Sequence, residues 1–190
     1  MPERNLEFGK YGAQGIKGHE AVARQLDSLA GYIASPITVQ RGLNARLNYL
    51  TRTAHARAAA AALGFTPSKA QLRDWRDGSV TPRRATLEKI EQVYHATRRE
   101  NVARYLLARL NQEGRGTRVE IHPLNQSRVS EPRQREVGMR HMNVRNWERI
   151  VAAWAAGTDQ ELDDAWVEQV IDLGSQWGQY EYVTNVGFAA

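Results

Sequence analysis

The stretch of residues 54–82 constrains the fold more than any other part of the chain. It reads AHARAAAAALGFTPSKAQLRDWRDGSVTP. Ala56, Ala60 and Leu63 recur at the i, i+4, i+7 spacing of one helix face. Alanines on that face let a second helix pack closely, and Gly64 can adopt the left-handed conformation that ends a helix. The spacing therefore predicts a short helix that stops at this glycine.

A second helix is predicted directly after the glycine. Two helix starts fit: Thr66 caps with Pro67 as the first helical residue, or Ser68 caps. Leu72 and Trp75 then share one face, three residues apart. Two short helices joined in this way form the pattern of a helix-turn-helix. The alternative is an ordinary helical hairpin whose charged face is solvated.

Polar side chains in and after the second helix are candidate DNA contacts. Basic and amide side chains hydrogen-bond base edges and phosphates in a major groove. The candidates are Lys69, Gln71, Arg73, Arg76, Arg83 and Arg84. Asp74 and Asp77 lie on the same predicted helix and weigh against DNA binding, because phosphates repel carboxylates.

Charge is distributed unevenly along the 190 residues, whose net charge is +5. Residues 41–149 hold 22 basic and 10 acidic side chains, whereas residues 150–190 hold seven acidic and no basic ones. Most of the basic residues are arginines, which suit bidentate contacts to phosphate and guanine. The basic block contains the predicted helix-turn-helix, which favours double-stranded DNA as a partner. The acidic end favours a protein partner or the chain's own basic part.

Composition excludes several other classes. The chain has no cysteine, which excludes disulfides and thiolate metal sites. The first 30 residues lack the apolar run of a signal peptide, and no stretch approaches 18 apolar residues. We therefore expect a cytoplasmic, nucleoid-associated protein with no membrane partner.

The fold class predicted is α+β, mainly α, in three segments. Residues 1–40 are expected to form a flexible arm and one modest helix. Residues 41–112 are expected to form a helix-turn-helix DNA-binding domain with a long basic helix that starts at Arg83 and has a candidate break near Thr97. Residues 113–190 are expected to form a small β-β-α-α-β domain that binds a partner or dimerises, so that a homodimer is expected.

Within the last segment, alternation predicts strands over 117–122 and 137–144, with a long flexible loop between them. Two helices follow, with tryptophans at core spacing, and the second begins with Thr158-x-x-Glu161, a capping-box pattern. A final strand is predicted around residues 180–183. Pairing of the first two strands would make His122 and His141 neighbours.

The sequence carries no recognisable enzyme motif. No Gly-x-x-x-x-Gly-Lys phosphate loop or His-Glu-x-x-His zinc motif occurs, and we expect no metal, no cofactor and no enzymatic activity. Side-chain hydroxyls remain as candidate covalent attachment points. Thr117 follows a glycine-rich break, so it is a candidate exposed hydroxyl; the alternative is a β-branched residue that simply opens a strand.

The order of several stretches resembles a known family. ARLNYL precedes AAAALGFTPSKAQLRDWRDG, and a basic helix, residues 114–121, MRHMNV and WERIVAAWAAGTDQELDDAWVEQV follow. This order is similar to that of the telomere terminal proteins of linear bacterial chromosomes and linear plasmids. The likeness covers roughly residues 41–175, and the shared order carries it rather than any single motif.

The resemblance implies a role in end replication. Such proteins are attached covalently to DNA 5′ ends, and they prime synthesis by presenting a threonine hydroxyl to a DNA polymerase. They remain as caps and are recruited by a telomere-associated protein. The DNA-binding part of the family corresponds to residues 66–78 here. Residues 111–113 carry no hydroxyl where the family has threonines, so Thr117 is the nearest candidate for nucleotide attachment.

Two other functions fit the residues without covalent chemistry. One is a helix-turn-helix transcriptional repressor, or a plasmid partition or transfer factor, that binds an internal duplex site as a dimer. The other is a protein-interaction module that uses its acidic end, with the basic half only solubilising the chain.

Overall fold

A computed structural model describes residues 9–171, 173 and 180–189. The protein is α+β and mainly helical, with a four-stranded antiparallel sheet, as its fold class was predicted. It divides into two compact units. The helical unit is Ala30–Val102, and the sheet unit joins Met1–Leu29 to Ala103–Ala190.

The helices are α1 (Gly18–Ala30), α2 (Gln40–Thr51), α3 (Ala54–Ala62), α4 (Lys69–Asp77), α5 (Arg84–Asn111), α6 (Glu148–Ala156) and α7 (Asp159–Val170). The strands are β1 (Ile16–Lys17), β2 (Thr117–Pro123), β3 (Arg140–Val144) and β4 (Tyr182–Ala189). Short 3-10 turns occupy Gln112–Gly114 and Glu131–Arg133. Helix α5 continues past Val102, so it supplies residues to both units.

Helix α2 supplies the central apolar face of the helical unit. Leu43, Leu47 and Leu50 are all buried, as their spacing predicted. They share one core with residues from the other helices of this unit: Ala60, Phe65, Trp75, Ile90, Val93 and Tyr94. Helices too short to be stable alone are held in this way by tertiary packing.

The end of α3 decides which side chain enters that core. Gly64 is left-handed with φ of 77°. Its N–H donates to the carbonyl of Ala61, and the N–H of Phe65 donates to the carbonyl of Ala60, both at 2.9 Å. These two bonds form a Schellman motif. The chain therefore turns before Leu63 can face inward, so Leu63 is exposed, contrary to prediction, and Phe65 is buried instead.

The sheet has the strand order β1-β4-β2-β3. Strands β2 and β3 pair antiparallel from Thr117 opposite Val144 to Ile121 opposite Arg140, and β4 pairs with the other edge of β2. The predicted β-β-α-α-β order is present in β2, β3, α6, α7 and β4. The strand predicted over 137–144 begins only at Arg140.

The N-terminal segment is part of this sheet. Strand β1 pairs with β4, with Ile16 opposite Val183, and α1 buries Val22 and Leu26. The described residues before Ala30 therefore belong to the sheet unit, whereas the sequence pattern indicated a separate arm. A strand of two residues is too short to give an alternating apolar pattern, so the sequence did not predict it.

The core of the sheet unit is rich in tryptophan. Trp147, Trp154 and Trp166 are fully buried, as their helical spacing predicted. The indole N–H of Trp154 donates to Asp27 of α1 at 2.8 Å, which ties α6 to that helix.

Within the segment 123–135, the Gln126 side chain forms reciprocal hydrogen bonds with the backbone of Arg135, at 2.9 and 2.8 Å. Two other local predictions were wrong. Helix α5 runs without a break through Thr97, which is buried. Thr158 forms no bond to the helix backbone as a cap; its hydroxyl donates instead to the Glu161 carboxylate at 2.7 Å.

Two glycines that precede β2 allow a matched test of this packing. Gly114 and Gly116 are both left-handed, but a Cβ at Gly116 would lie 2.3 Å from the carbonyl oxygen of Val144, whereas one at Gly114 meets nothing within 4 Å. We expect Gly114→Ala to cost about 1–2 kcal/mol from backbone strain alone. Gly116→Ala should cost clearly more, because β3 must shift. Urea denaturation followed by circular dichroism measures both, and equal losses would contradict the close approach.

Candidate nucleic-acid interface

Helix α4 begins with a complete capping box. The Ser68 hydroxyl accepts from the N–H of Gln71 at 3.1 Å, and the Gln71 side chain accepts from the N–H of Ser68 at 2.9 Å. Ser68, not Thr66, is therefore the cap. Two N–H groups that a helix start leaves unpaired are satisfied by these bonds, which fix the first turn of a nine-residue helix.

The other end of α4 is held by two amides of α2. The Gln40 side chain donates to the carbonyl of Trp75 at 2.7 Å, and the Asn44 side chain donates to the carbonyl of Arg76 at 3.0 Å. Gly78 then ends the helix in a left-handed conformation, with φ of 79°. The last carbonyls of a helix lack partners within it, so these amides stabilise the end of α4.

One face of α4 is buried and the other is open. Trp75 is buried and Leu72 is partly buried, as predicted, while Lys69, Arg73 and Arg76 are exposed. The side chain of Arg73 is 74 % exposed and pairs with Asp74 at 3.0 Å. The side chains on the open face are therefore polar and accessible to a ligand.

The acidic residues of α4 are engaged locally. Besides the pairing of Asp74 with Arg73, the Asp77 carboxylate accepts from the N–H of Ser79 at 2.9 Å. Hydrogen bonds from Ser79 lower the pKa of Asp77, and the charge of Arg73 acts in the same direction. Asp77, the last residue of α4, therefore bonds to the turn that follows the helix.

The predicted DNA contacts are all exposed, but several already have partners. The amide oxygen of Gln71 serves the capping box, which leaves only its NH₂ group for a ligand. Arg76 donates to the Thr51 hydroxyl at 2.5 Å, and Arg84 donates to Glu88 at 2.8 Å. Helical periodicity does not show such caps or contacts between helices, so the sequence did not predict these partners of Gln71 and Arg76.

Lys69 and Arg83 differ from the other candidates. Both are exposed, and the side chain of neither forms a hydrogen bond or ion pair with another residue that the structure describes. Arg83 and Arg84 lie at the start of α5, apart from the four candidates on α4.

The helical unit as a whole is basic. Ala30–Val102 carries 12 Lys and Arg side chains against five Asp and Glu. Some of this charge is structural: Arg98 donates to the carbonyl of Ala30 at 2.7 Å. An excess of exposed positive charge attracts polyanions and speeds their association.

Arg46 has a structural role that was not predicted from the sequence. It is 4 % exposed and forms a salt bridge with Glu91. Its guanidinium also donates to the carbonyls of Ser35 and Gly42, at 2.8 and 3.1 Å, and lies 5.3 Å from the centre of the Tyr94 ring. Burial raises the pKa of the Tyr94 hydroxyl.

Thr117 is not an exposed hydroxyl. The residue is fully buried, and its hydroxyl donates to the carbonyl of Leu110 at 2.6 Å. The expectation of exposure was wrong because Gly116 brings the chain against β3, which encloses the first residue of β2. The alternative reading, a β-branched residue that opens a strand, is the one observed.

The sheet unit holds an acidic cleft that the sequence pattern did not indicate. Its volume is about 600 Å³, and its charged lining residues are Lys17, Arg149, Asp163, Asp164, Glu168 and Glu181. Asp163 accepts from the buried His19 at 2.6 Å, and Arg149 pairs with Glu168. Burial, and then the nearby charge of Asp163, raise the pKa of Glu181. Four of these six side chains are acidic, so the lining carries more negative than positive charge.

His141 lies opposite Glu120 across β2 and β3, and its ring nitrogen is 3.1 Å from the carboxylate. His122 lies two residues farther along β2, on the same side of the strand as Glu120. Among the residues that the structure describes, no group of histidine and acidic side chains could hold a metal ion. No helix in the described ranges is both long and apolar enough to cross a membrane.

Comparisons with known protein families, with curated proteins and with solved structures found no match.

The buried hydroxyl of Thr117 gives a prediction for stability. Thr117→Val should cost about 1–3 kcal/mol, because it leaves the carbonyl of Leu110 without its partner in a buried place. Thr184→Val is the matched control, since its hydroxyl also donates to a carbonyl but is exposed. Water can replace that bond, so the control should change stability by less than about 0.5 kcal/mol. Urea denaturation measures both; an unchanged Thr117→Val variant would contradict the buried bond.

Proposed function

We propose that this protein binds double-stranded DNA through its helical unit, with α4 in the major groove. The observation that carries the proposal is the way α4 is presented. A capping box holds its start, amides of α2 hold its end, and its open face carries Lys69 and Arg73. A helix held at both ends needs little ordering when it binds, which favours affinity.

In this proposal α3 and α4 are the two helices of a helix-turn-helix, and α2 supports them. The connection from Leu63 to Ser68 is longer than the usual turn of three or four residues. Phe65 accounts for the extra length, because it inserts into the shared core before the cap of α4. The second helix of such a motif enters the groove, while the first crosses the backbone.

The candidates then have different roles. Arg73 lies on the open face of α4, and a guanine edge can replace Asp74 as its partner. Lys69, Arg83 and Arg84 contact phosphates, which adds affinity without sequence preference. The NH₂ group of Gln71 remains available for an acceptor on a base.

The biological role that we propose is that of a DNA-binding protein of a linear replicon, similar to a telomere terminal protein. The order of sequence stretches from ARLNYL to WERIVAAWAAGTDQELDDAWVEQV supports this role. End capping, protein-primed replication with a DNA polymerase, recruitment by a telomere-associated protein and homodimer formation by the sheet unit are parts of the same proposal. Priming has the resemblance alone as its support.

One observation favours the second candidate function. Thr117, the hydroxyl nearest to the attachment position of the family, is buried and hydrogen-bonded. A helix-turn-helix repressor, or a plasmid partition or transfer factor, binds DNA by α4 without any covalent step. The DNA-binding part of the proposal is common to both functions.

Removal of Arg73 tests the placement of α4. Arg73→Ala should weaken binding to a selected duplex by about 1–3 kcal/mol and relax preference at one base pair. The control is Arg149→Ala, which removes the same charge from the sheet unit, where Arg149 pairs with Glu168. Selection of duplexes from a random pool, followed by fluorescence anisotropy, measures both variants. Equal affinities for Arg73→Ala and the unaltered protein would reject α4 as the reading helix.

The covalent part of the proposal has its own test. A terminal protein isolated with DNA from its native cell and digested with nuclease should retain a nucleotide on one hydroxyl. Intact and peptide masses would show the adduct and locate it. An unmodified mass in protein that still binds duplex DNA would reject priming and support the repressor or partition function.

A further inference from the structure

Two arginines from different helices converge on Thr51, the last residue of α2. Arg57, in the first turns of α3, donates to the carbonyl oxygen of Thr51 at 2.8 Å. Arg76, near the end of α4, donates to the hydroxyl of the same residue at 2.5 Å. That hydroxyl donates in turn to the carbonyl of Leu47, also at 2.5 Å. One residue therefore orients both guanidinium groups.

Neither guanidinium is neutralised. Arg57 and Arg76 are both exposed, and no salt bridge joins either of them to a carboxylate among the described residues. Each guanidinium has five N–H donors and uses one of them on Thr51. The two positive charges are held near one residue, and most of their N–H donors are unused. Such an arrangement favours the binding of an anion.

The position of this pair relates it to α4. The bond of Arg76 to α2 holds its guanidinium beside α4, whereas Arg73 pairs with a neighbour on the open face. Arg57 belongs to the helix that would cross the DNA backbone in the proposed docking. In that docking the pair would lie beside the DNA backbone.

We propose that Arg57 and Arg76, positioned by Thr51, clamp one phosphodiester of the DNA backbone beside α4. The clamp contributes affinity and fixes the register of α4, and it carries no base preference. A planar guanidinium matches two phosphate oxygens, so two of them can enclose one phosphate group. This inference rests on the proposed docking of α4, and it assigns Arg76 to the backbone rather than to a base.

Salt dependence separates a phosphate contact from a base contact. Arg57→Gln and Arg76→Gln should each lower the slope of log affinity against log salt by about 1, because each contact releases one counterion fewer. Both should weaken binding to a selected duplex and to mixed-sequence duplexes by the same factor. Fluorescence anisotropy between about 50 and 200 mM salt gives these slopes. Arg149→Gln, with the same charge change in the sheet unit, should leave the slope unchanged.

The outcomes distinguish the two proposals. If the unaltered protein binds duplex DNA and both Gln variants keep its slope, the clamp is wrong and the docking of α4 stands. If Arg76→Gln alters base preference, Arg76 reads a base and the clamp is again wrong. If the unaltered protein binds no duplex at any salt concentration tested, the proposed function fails, and the clamp fails with it.

The positioning role of Thr51 has a separate readout. Thr51→Val keeps both charges but removes the hydroxyl that holds Arg76, so affinity should fall several-fold while the folded fraction by circular dichroism stays the same. Thr51→Ser retains the hydroxyl and should restore the affinity. Equal affinity in the valine and serine variants would show that Thr51 does not position the clamp.

Discussion

The helical unit depends on the burial of one face of α2. Leu43, Leu47 and Leu50 pack against Trp75, Phe65 and the start of α5. Helices of nine residues, such as α3 and α4, are marginal alone in water, so this burial is what holds them. The polar side of α2 then completes the arrangement, because its amides bond the last carbonyls of α4. One helix thus both supports and orients the proposed reading helix.

The helical unit holds a buried charge, that of Arg46. Arg46 immediately precedes Leu47 in the sequence. Its guanidinium is removed from water, with Glu91 as counter-ion and backbone carbonyls as further acceptors. Burying an ion pair costs desolvation, which good geometry and additional hydrogen bonds offset. The carbonyls of Ile33 and Ser35 bond to this side chain, so the segment before α2 is ordered by it. The guanidinium of Arg46 is therefore engaged within the fold and is not exposed to a ligand.

Charge on the helical unit falls into three kinds. Arg46 is buried, Arg98 bonds the backbone, and exposed groups such as Lys69 remain for a ligand. The two arginines of the proposed phosphate clamp combine the last two kinds. One donor of each guanidinium bonds to Thr51, and the remaining donors are open to a ligand. A net charge summed over the sequence cannot separate these kinds, and it says nothing about the acidic cleft of the sheet unit.

The spacing of apolar residues was by itself enough to predict most helices and the main strands. A helix or strand that buries one face repeats its apolar residues at the period of that element, and this repeat is visible within a single segment. The leucines of α2, the tryptophans of α6 and α7 and the alternation of β2 lie as their spacing indicates. The tertiary structure alone decided which polar groups meet. Phe65 is buried in the core and Leu63 is not, Thr117 is buried beneath β3, and β1 pairs with β4 in the sheet. Arg57 and Arg76, 19 positions apart in the sequence, came together on Thr51. Such contacts join residues distant in sequence, and the local pattern of a segment holds no information about its partners.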